Sequence, residues 1–207
     1  MTYARQAGFK LVDTPSGLYR LLVLTVLLAN RVPADTAVSA ARALFRAGLR
    51  TPASMAGSTW QERGDLLAAN GYRRLAGRGA TVLGDGAAVV DQTWGGDLRR
   101  LHAEAAGSVS TVRRALEQVP GIGHVGSAIF CREVQGLWPD ISPFADERVL
   151  TGAKALGLPT SPRELAALVE PDDLVRLVAA CVRASFGRSP HVGGEVTAGG
   201  TPRPGRR

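Results

Sequence analysis

A proline and two glycines, Pro120-Gly121-Ile122-Gly123, separate two helix-forming stretches near the middle of the chain. Glycine reaches positive φ without strain and lets a backbone approach its neighbours closely, so this spacing predicts a tight hairpin between helices. Free N–H groups at the start of the second helix form a site for an anion, and a nucleic-acid phosphate is the natural ligand. Carbonyl oxygens on the other side of such a hairpin suit a monovalent cation. An ordinary turn between packed helices explains the same residues equally well.

The charge of the chain also favours an anionic partner. Its net charge is +7 at pH 7 and its sequence pI is about 10.4, values typical of proteins that bind a polyanion such as nucleic acid or an anionic surface. Lys10 and Lys154 are the only lysines among 25 basic residues. Because so strong a preference for arginine also arises from genome composition, the charge alone does not decide between these explanations.

The cysteines and the most apolar stretch exclude several classes of protein. Cys131 and Cys181 lie outside any CxxC pattern, so we expect neither a structural zinc nor a cysteine-ligated iron–sulfur cluster, and we predict that both thiols are buried. The nine residues Leu21–Ala29 are too few to cross a bilayer. They predict a buried central helix, and we expect no signal peptide and no membrane partner.

The pattern of apolar residues predicts an all-α protein, because no segment alternates with period two. Predicted helices cover about 16–30, 34–47, 73–93, 98–106, 109–118, 124–137, 146–156, 162–169 and 172–186, with a helical turn from Thr51. Thr59 with Glu62, and Ser161 with Glu164, have the spacing of capping boxes. Residues 187–207 are rich in glycine, proline and arginine and predict a disordered basic tail.

The motifs around the hairpin resemble those of the helix-hairpin-helix/Gly-Pro/Asp superfamily of base-excision DNA glycosylases, which includes endonuclease III. That family shows a Pro-Gly-x-Gly hairpin, often a Trp-Pro, and an Asp that opens a helix ending in Leu-Gly-Leu. The matching residues here are Val119–Gly123, Trp138-Pro139, Asp146 and Leu156–Leu158. Upstream, LLVLTVLLANRVPADTAVSAARALF and NGYRRLAGRGATVLGDGA resemble earlier helices of the family, so the resemblance covers about residues 16–158.

The resemblance implies a two-lobed helical fold with a cleft between the lobes. One domain would cover residues 1–186, with one lobe at about 30–125. The second lobe would combine the N-terminal segment with about 126–186, and the tail 187–207 would follow it.

The resemblance also implies a function, the removal of a damaged or mismatched base that is flipped out of duplex DNA. Asp146 matches the family's catalytic carboxylate, which stabilises the cationic sugar as the glycosidic bond breaks. The alternative role for Asp146 is an N-cap of the helix that it opens. Bifunctional members carry a lysine nucleophile where this chain has Val125, so we expect a monofunctional glycosylase without lyase activity. A non-catalytic DNA-binding protein remains the alternative function.

The resemblance also implies which residues contact DNA and which carbonyls bind a cation. The residues expected at the DNA are Gly121, Ile122, Gly123, His124, Val125, Gly126, Ser127, Arg31, Tyr72, Arg73 and Arg74. For Arg31, His124 and the 72–74 segment, an ordinary exposed surface is the alternative. Carbonyls of Glu117, Val119 and Ile122 match the family's cation ligands, a Na⁺ or K⁺ site. The family's four-cysteine cluster motif is missing, so no cofactor is expected. The expected partner is duplex DNA bound without sequence preference, by a cytoplasmic, nucleoid-associated monomer.

Overall fold

A computed structural model describes residues 1–187, and these residues form helices and turns without any β-strand, which confirms the predicted all-α class. The helices are α1 (Tyr3–Gln6), α2 (Pro15–Leu28), α3 (Ala34–Arg46), α4 (Pro52–Gly57), α5 (Trp60–Leu67), α6 (Ala76–Trp94), α7 (Leu98–Ala105), α8 (Val109–Leu116), α9 (His124–Val134), α10 (Glu147–Ala155), α11 (Pro162–Ala166) and α12 (Leu174–Ala184). Short 3₁₀ turns lie at Arg73–Leu75, Pro139–Ile141 and Pro171–Asp173. Residues 188–207, most of the predicted tail, lie outside the described part of the chain.

Helix α2 is the centre of the fold, as its apolar sequence predicts. Its residues from Gly17 to Leu27 are buried with the single exception of the partly exposed Arg20. Around it, α3, α7 and α9 pack their apolar faces into one large core. In the part of the chain that the structure describes, no helix has the length and apolarity needed to span a membrane.

A second, smaller core holds the C-terminal helices together. It contains Val149 and Ala153 of α10, Leu165 of α11, and Val178 and Cys181 among others from α12. Gly152 allows α10 to approach α12 closely, because a Cβ at this position would lie only 1.7 Å from the carbonyl oxygen of Cys181. The structure thus has two cores, while the predicted lobe boundaries at about residues 30 and 125 stay a prediction.

The helix ends follow local capping rules at most of the predicted positions. Thr59 and Glu62 form the predicted reciprocal capping box at the start of α5. The capping box predicted for Ser161 and Glu164 is wrong, since Ser161 has the extended backbone of an N-cap but its side chain makes no capping hydrogen bond. The helix predicted at about 73–93 begins later than predicted, because a 3₁₀ turn at Arg73–Leu75 precedes α6, and Gly71 before that turn has a φ of +86°.

Helix α1, which the sequence did not predict, is held by a buried carboxylate from α9. Glu133 is 5% exposed, and its two carboxylate oxygens accept hydrogen bonds from the backbone N–H groups of Tyr3 (3.1 Å) and Ala4 (3.3 Å). Burial raises the pKa of Glu133 above its usual value, and these hydrogen bonds oppose that shift only in part. The N-terminal segment is therefore attached to the core through an acid whose charged form is disfavoured by its surroundings.

We predict that replacing Glu133 with Gln makes the protein progressively more stable, relative to the wild type, as the pH rises from acid to neutral. A glutamate whose pKa is raised by folding contributes its full stabilisation below its unfolded pKa and loses it as the pH rises through the folded pKa. Glutamine resembles the protonated acid at every pH, so the variant lacks this loss. The free energy of unfolding, measured by urea titration at several pH values from about 4 upward, checks the prediction.

The matched control for this prediction is the exposed Glu164 of α11. The Glu164→Gln variant should keep a constant stability difference from the wild type over the same pH range. The prediction is wrong if the stability of the Glu133→Gln variant relative to the wild type stays constant or falls as the pH rises.

Candidate nucleic-acid interface

The hairpin forms where the sequence places it, between the end of α8 at Leu116 and the start of α9 at His124. Gly121 has a φ of +85°, as expected of a glycine in a tight turn. A Cβ on Gly121 would lie 3.1 Å from Val26 Cγ1 and 3.3 Å from Val82 Cβ. The first glycine is thus required by the fold itself, because the turn packs directly against α2 and α6.

The second glycine stands in a different environment. Gly123 is exposed, has an extended backbone (φ −110°, ψ −164°), and a Cβ added to it meets no atom within 4 Å. It caps α9 without a side-chain hydrogen bond. Within residues 1–187, the backbone N–H groups of Gly123, His124, Val125 and Gly126 have no hydrogen-bond acceptor. Four adjacent donors at a helix N-terminus, the first three of them on exposed residues, can hold an anion.

The side chains of the hairpin divide into buried and exposed groups. Ile122 and Ser127 are buried, whereas Val125 is 56% exposed and the side chain of His124 is 83% exposed. The Ser127 hydroxyl accepts a hydrogen bond from Arg113 Nε (3.1 Å) and donates one to Glu117 Oε1 (2.8 Å). The hydroxyl of Ser127 is therefore occupied inside the hairpin and is not available to a nucleic acid, and the expected DNA contact of Ser127 stays a prediction.

Asp146 has the N-cap role that its position predicts, and it also belongs to an ion pair. Its Oδ1 accepts a hydrogen bond from the Val149 N–H of α10 (3.3 Å) and another from Arg132 Nε (3.0 Å). Its Oδ2 accepts from Arg132 Nη2 (2.5 Å). The Arg132 side chain is 8% exposed and that of Asp146 is 20% exposed, so the pair is largely but not fully buried. The two hydrogen bonds from Arg132 fix the position of the Asp146 carboxylate, and the guanidinium charge offsets the charge of the carboxylate.

The loop that carries Asp146 is fastened to α9 by a second buried side chain. The Gln135 amide donates to the carbonyl of Phe144 (3.1 Å) and accepts from its N–H (2.8 Å), so one side chain satisfies both backbone groups. Arg113 of α8 lies over the Phe144 ring, with its guanidinium carbon 6.0 Å from the ring centre. The stretch Ser142–Ala145 is therefore a fixed connection between the hairpin and Asp146.

The remaining predicted contacts differ in their accessibility. Arg31, Arg73 and Arg74 are exposed and free to meet a partner on the surface. Tyr72 contradicts its prediction, since it is 1% exposed and its hydroxyl donates to the carbonyl of Leu27 (3.1 Å). Burial in the apolar core raises the pKa of Tyr72 to about 12. Tyr72 thus connects the segment before α6 to the end of α2 and is not part of an exposed surface.

A small cavity lies beside the first hairpin glycine. Its volume is about 30 Å³, and its lining includes Asn30, Tyr72, Arg78 and Gly121. Sites for small organic ligands are typically about 300–1,000 Å³. The cavity has room for water but not for a nucleobase, so any base pocket at this place must form on binding.

Of the three carbonyls predicted to hold a monovalent cation, two are free of hydrogen bonds from the described residues and one is not. Those of Glu117 and Ile122 accept no hydrogen bond from the described residues, whereas that of Val119 accepts one from the Ile122 N–H (3.0 Å). Oxygen donors of this kind suit a hard monovalent cation. Among residues 1–187, no group of three or more His, Cys, Asp or Glu side chains is arranged to hold a metal ion.

Sequence reasoning missed the residues that position this site, above all Arg132, Gln135 and Arg113. All three were visible as polar residues on helices, but their partners lie 9 to 14 residues away on other elements. The available signal was the run Arg132, Glu133 and Gln135 on a predicted helix, directly after Cys131, which was predicted to be buried. Because buried polar groups need hydrogen-bond partners, such a run marks contacts to other elements.

Comparison with known proteins supports the fold. No protein-family model matches the chain, and no curated protein matches it. A solved structure of a trapped endonuclease III–DNA covalent intermediate, an estranged-adenine complex, is similar to it with a TM-score of 0.51. The likeness covers 87% of this chain and 79% of that chain at 18% sequence identity. The chain therefore has the all-helical fold of endonuclease III, in agreement with the fold predicted from the hairpin and Asp146.

We predict that the Arg132–Asp146 pair stabilises the fold far more than an exposed ion pair does. Removing one partner leaves the other charge nearly buried, so Arg132→Met should cost about 3 kcal/mol of unfolding free energy. A double-mutant cycle with Asp146→Asn, which keeps a good N-cap residue, should give a coupling energy above about 1 kcal/mol.

The exposed pair Arg176–Asp173, whose side chains are 60% and 47% exposed, provides the control. Its own cycle should give a coupling of about 1 kcal/mol or less. If the two cycles give the same coupling energy, the Arg132–Asp146 pair stabilises the fold no more than an exposed ion pair does, and the prediction is wrong.

Proposed function

We propose that this protein is a DNA-repair enzyme, a monofunctional DNA N-glycosylase that binds duplex DNA through the α8–α9 hairpin without reading its sequence. The observation that carries the proposal is the row of backbone N–H groups from Gly123 to Gly126, which have no acceptor within residues 1–187 and begin at the exposed Gly123. A phosphate oxygen is the partner that such a row fits best. The similar endonuclease III structure is itself a complex with DNA, which supports the same partner for this chain.

The proposed reaction is hydrolysis of the bond between a base and its sugar. As this bond breaks, positive charge develops on the sugar, and the carboxylate of Asp146 stabilises it while water supplies the new oxygen on the sugar carbon. The Asp146 side chain is 20% exposed, and Arg132 holds its carboxylate in one orientation through two hydrogen bonds. The base must be flipped out of the duplex to reach this position, and the pocket that receives it opens on binding.

Cleavage of the DNA strand by a lyase reaction is not part of the proposal. That reaction needs an amine that forms a Schiff base with the sugar, and the exposed residue after His124 is Val125, which has none. Lys154 lies exposed near the end of α10, away from the hairpin in sequence. The proposal therefore ends with an abasic site on an intact strand.

Other groups near the hairpin would take part in binding. Carbonyls of Glu117 and Ile122, with that of Val119, would hold a monovalent cation that stiffens the hairpin. The exposed Arg31, Arg73 and Arg74 would contact phosphates beside it. The reaction needs no other cofactor, and we propose that the protein acts as a monomer on the nucleoid in the cytoplasm.

A second candidate function, DNA binding without catalysis, is favoured by one specific observation. The charge of Asp146 is largely compensated by the two-point pair with Arg132, and the same carboxylate also caps α10. A carboxylate neutralised in this way stabilises a developing cation less than a free one. On this alternative, the hairpin binds DNA as before, and Asp146 only joins α9 to α10.

We predict that Asp146→Asn lowers base release about 100-fold or more, the usual effect of removing a group that stabilises transition-state charge. The assay uses duplexes with alkylated, oxidised, deaminated or mismatched bases, and alkali reveals the abasic products. Glu147→Gln, one residue further along the same helix and exposed, is the control and should retain wild-type activity.

The outcomes of this assay separate the candidate functions. Base release by the Asp146→Asn variant at the wild-type rate would refute the catalytic role. Absence of product from every duplex, together with wild-type DNA binding, would establish the non-catalytic alternative. A covalent adduct trapped by borohydride on abasic DNA would contradict the monofunctional assignment.

We also predict that Gly123→Ala weakens duplex binding about tenfold, and by the same factor for unrelated sequences. The new methyl group meets no atom of residues 1–187 within 4 Å, so the fold is kept, but it obstructs the approach of a phosphate to the N–H groups. Fluorescence anisotropy with two duplexes of different sequence measures the effect.

Gly57→Ala is the matched control, because Gly57 also lies in open space, at the end of α4 away from the hairpin in sequence. If the Gly123→Ala, Gly57→Ala and wild-type proteins bind duplex DNA with equal affinity, the hairpin is an ordinary turn that does not bind phosphate.

A further inference from the structure

The imidazole of His124 is held by an arginine from the preceding helix. Arg113 Nη2 lies 2.9 Å from His124 Nδ1 and 3.0 Å from the His124 carbonyl oxygen, and it donates to both. The Nε of the same guanidinium donates to Ser127 Oγ (3.1 Å). One side chain of α8 therefore binds three groups in the first turn of α9.

This contact decides which ring nitrogen of His124 carries the proton. A guanidinium is always protonated and has no acceptor, so Nδ1 must accept and cannot carry a hydrogen. Two N–H donors do not face each other at 2.9 Å. The neutral ring then carries its proton on Nε2, on the side of the ring away from Arg113.

Glu117 is an acid close to His124, and an interaction with it would favour the opposite arrangement. Its Oε1 lies 3.9 Å from His124 Nδ1, beyond hydrogen-bond distance. The same oxygen already accepts a hydrogen bond from the buried Ser127 hydroxyl at 2.8 Å. The shorter Arg113 contact therefore determines the state of the ring.

We propose that Arg113 is a positioning residue that keeps His124 neutral with its Nε2–H directed outward, as a side-chain donor to a DNA phosphate beside the free N–H groups of α9. The side chain of His124 is 83% exposed, so this donor is accessible. The inference rests on the proposed function, because it assumes that the hairpin binds a phosphate. It adds a specific property, namely that His124 contributes a hydrogen bond but no charge.

The state of the ring is tested on the free protein by ¹⁵N NMR of the histidine side chains. The wild type should show the Nε2–H tautomer for His124, and Arg113→Leu should lose this preference. Arg114→Leu is the matched control, since it removes the same charge from an exposed neighbouring position and should leave the tautomer unchanged. An Nδ1–H or doubly protonated ring in the wild type at neutral pH would overturn the inference.

The role in binding is tested by the salt dependence of duplex affinity. A neutral donor adds affinity without releasing counterions, so His124→Ala should weaken binding about three- to tenfold with an unchanged slope of log K against log salt concentration. His124→Gln, which retains a neutral N–H donor, should recover part of the loss. A slope reduced by about 0.9 would show that His124 binds as a cation, and an unchanged affinity would show that it does not bind; either overturns the inference.

The two experiments separate this inference from the proposed function. A wild-type protein without salt-dependent duplex binding would refute the proposed function, and the phosphate contact with it, whatever the NMR result. Normal duplex binding by a wild type whose ring is not the Nε2–H tautomer would refute the role of Arg113 alone.

Discussion

The structure depends on one constraint, that every polar group buried on α9 must find a partner on another element. Arg132, Glu133 and Gln135 are all less than 10% exposed. Each meets a different part of the chain: Arg132 binds Asp146, Glu133 binds the first turn of α1, and Gln135 binds the backbone of Phe144. Because an unpaired buried polar group costs about 1–3 kcal/mol, and a charge more, these contacts hold the N-terminal segment, the connecting loop and α10 in one arrangement around α9.

The same helix links the two parts of the candidate site. Its N-terminus provides the free N–H groups of the hairpin, and its C-terminal half provides the arginine that holds Asp146. Rigid attachment at both ends fixes the anion site relative to the carboxylate. Under the proposed function, this arrangement would serve a reaction that requires both groups at once, since positioning reduces the entropy cost of the transition state. The pairing with Arg132 also has an electrostatic consequence. The guanidinium that orients Asp146 weakens the attraction of this carboxylate for a positive charge that develops nearby.

Much of the fold could be predicted from the sequence, for reasons that are local. Apolar residues all round α2, the Thr59–Glu62 box and the glycine turn are determined by neighbouring residues, and the structure confirms each of them. The N-cap role of Asp146 is equally local. Its pairing with Arg132 was not predictable, since that contact depends on how α9 and α10 pack, and Tyr72 was misassigned because only packing against α2 buries it.

The two hairpin glycines show how the structure separates requirements of folding from requirements of binding. Gly121 has a positive φ and is surrounded by Val26 and Val82, so the fold alone explains why it has no side chain. Gly123 has a backbone conformation open to any residue and no neighbour that a side chain would touch. Among residues 1–187, no contact requires a glycine at this position. Under the proposed function, the missing side chain serves a partner that approaches from outside, and the neighbouring N–H groups, which have no acceptor within residues 1–187, suit an anion.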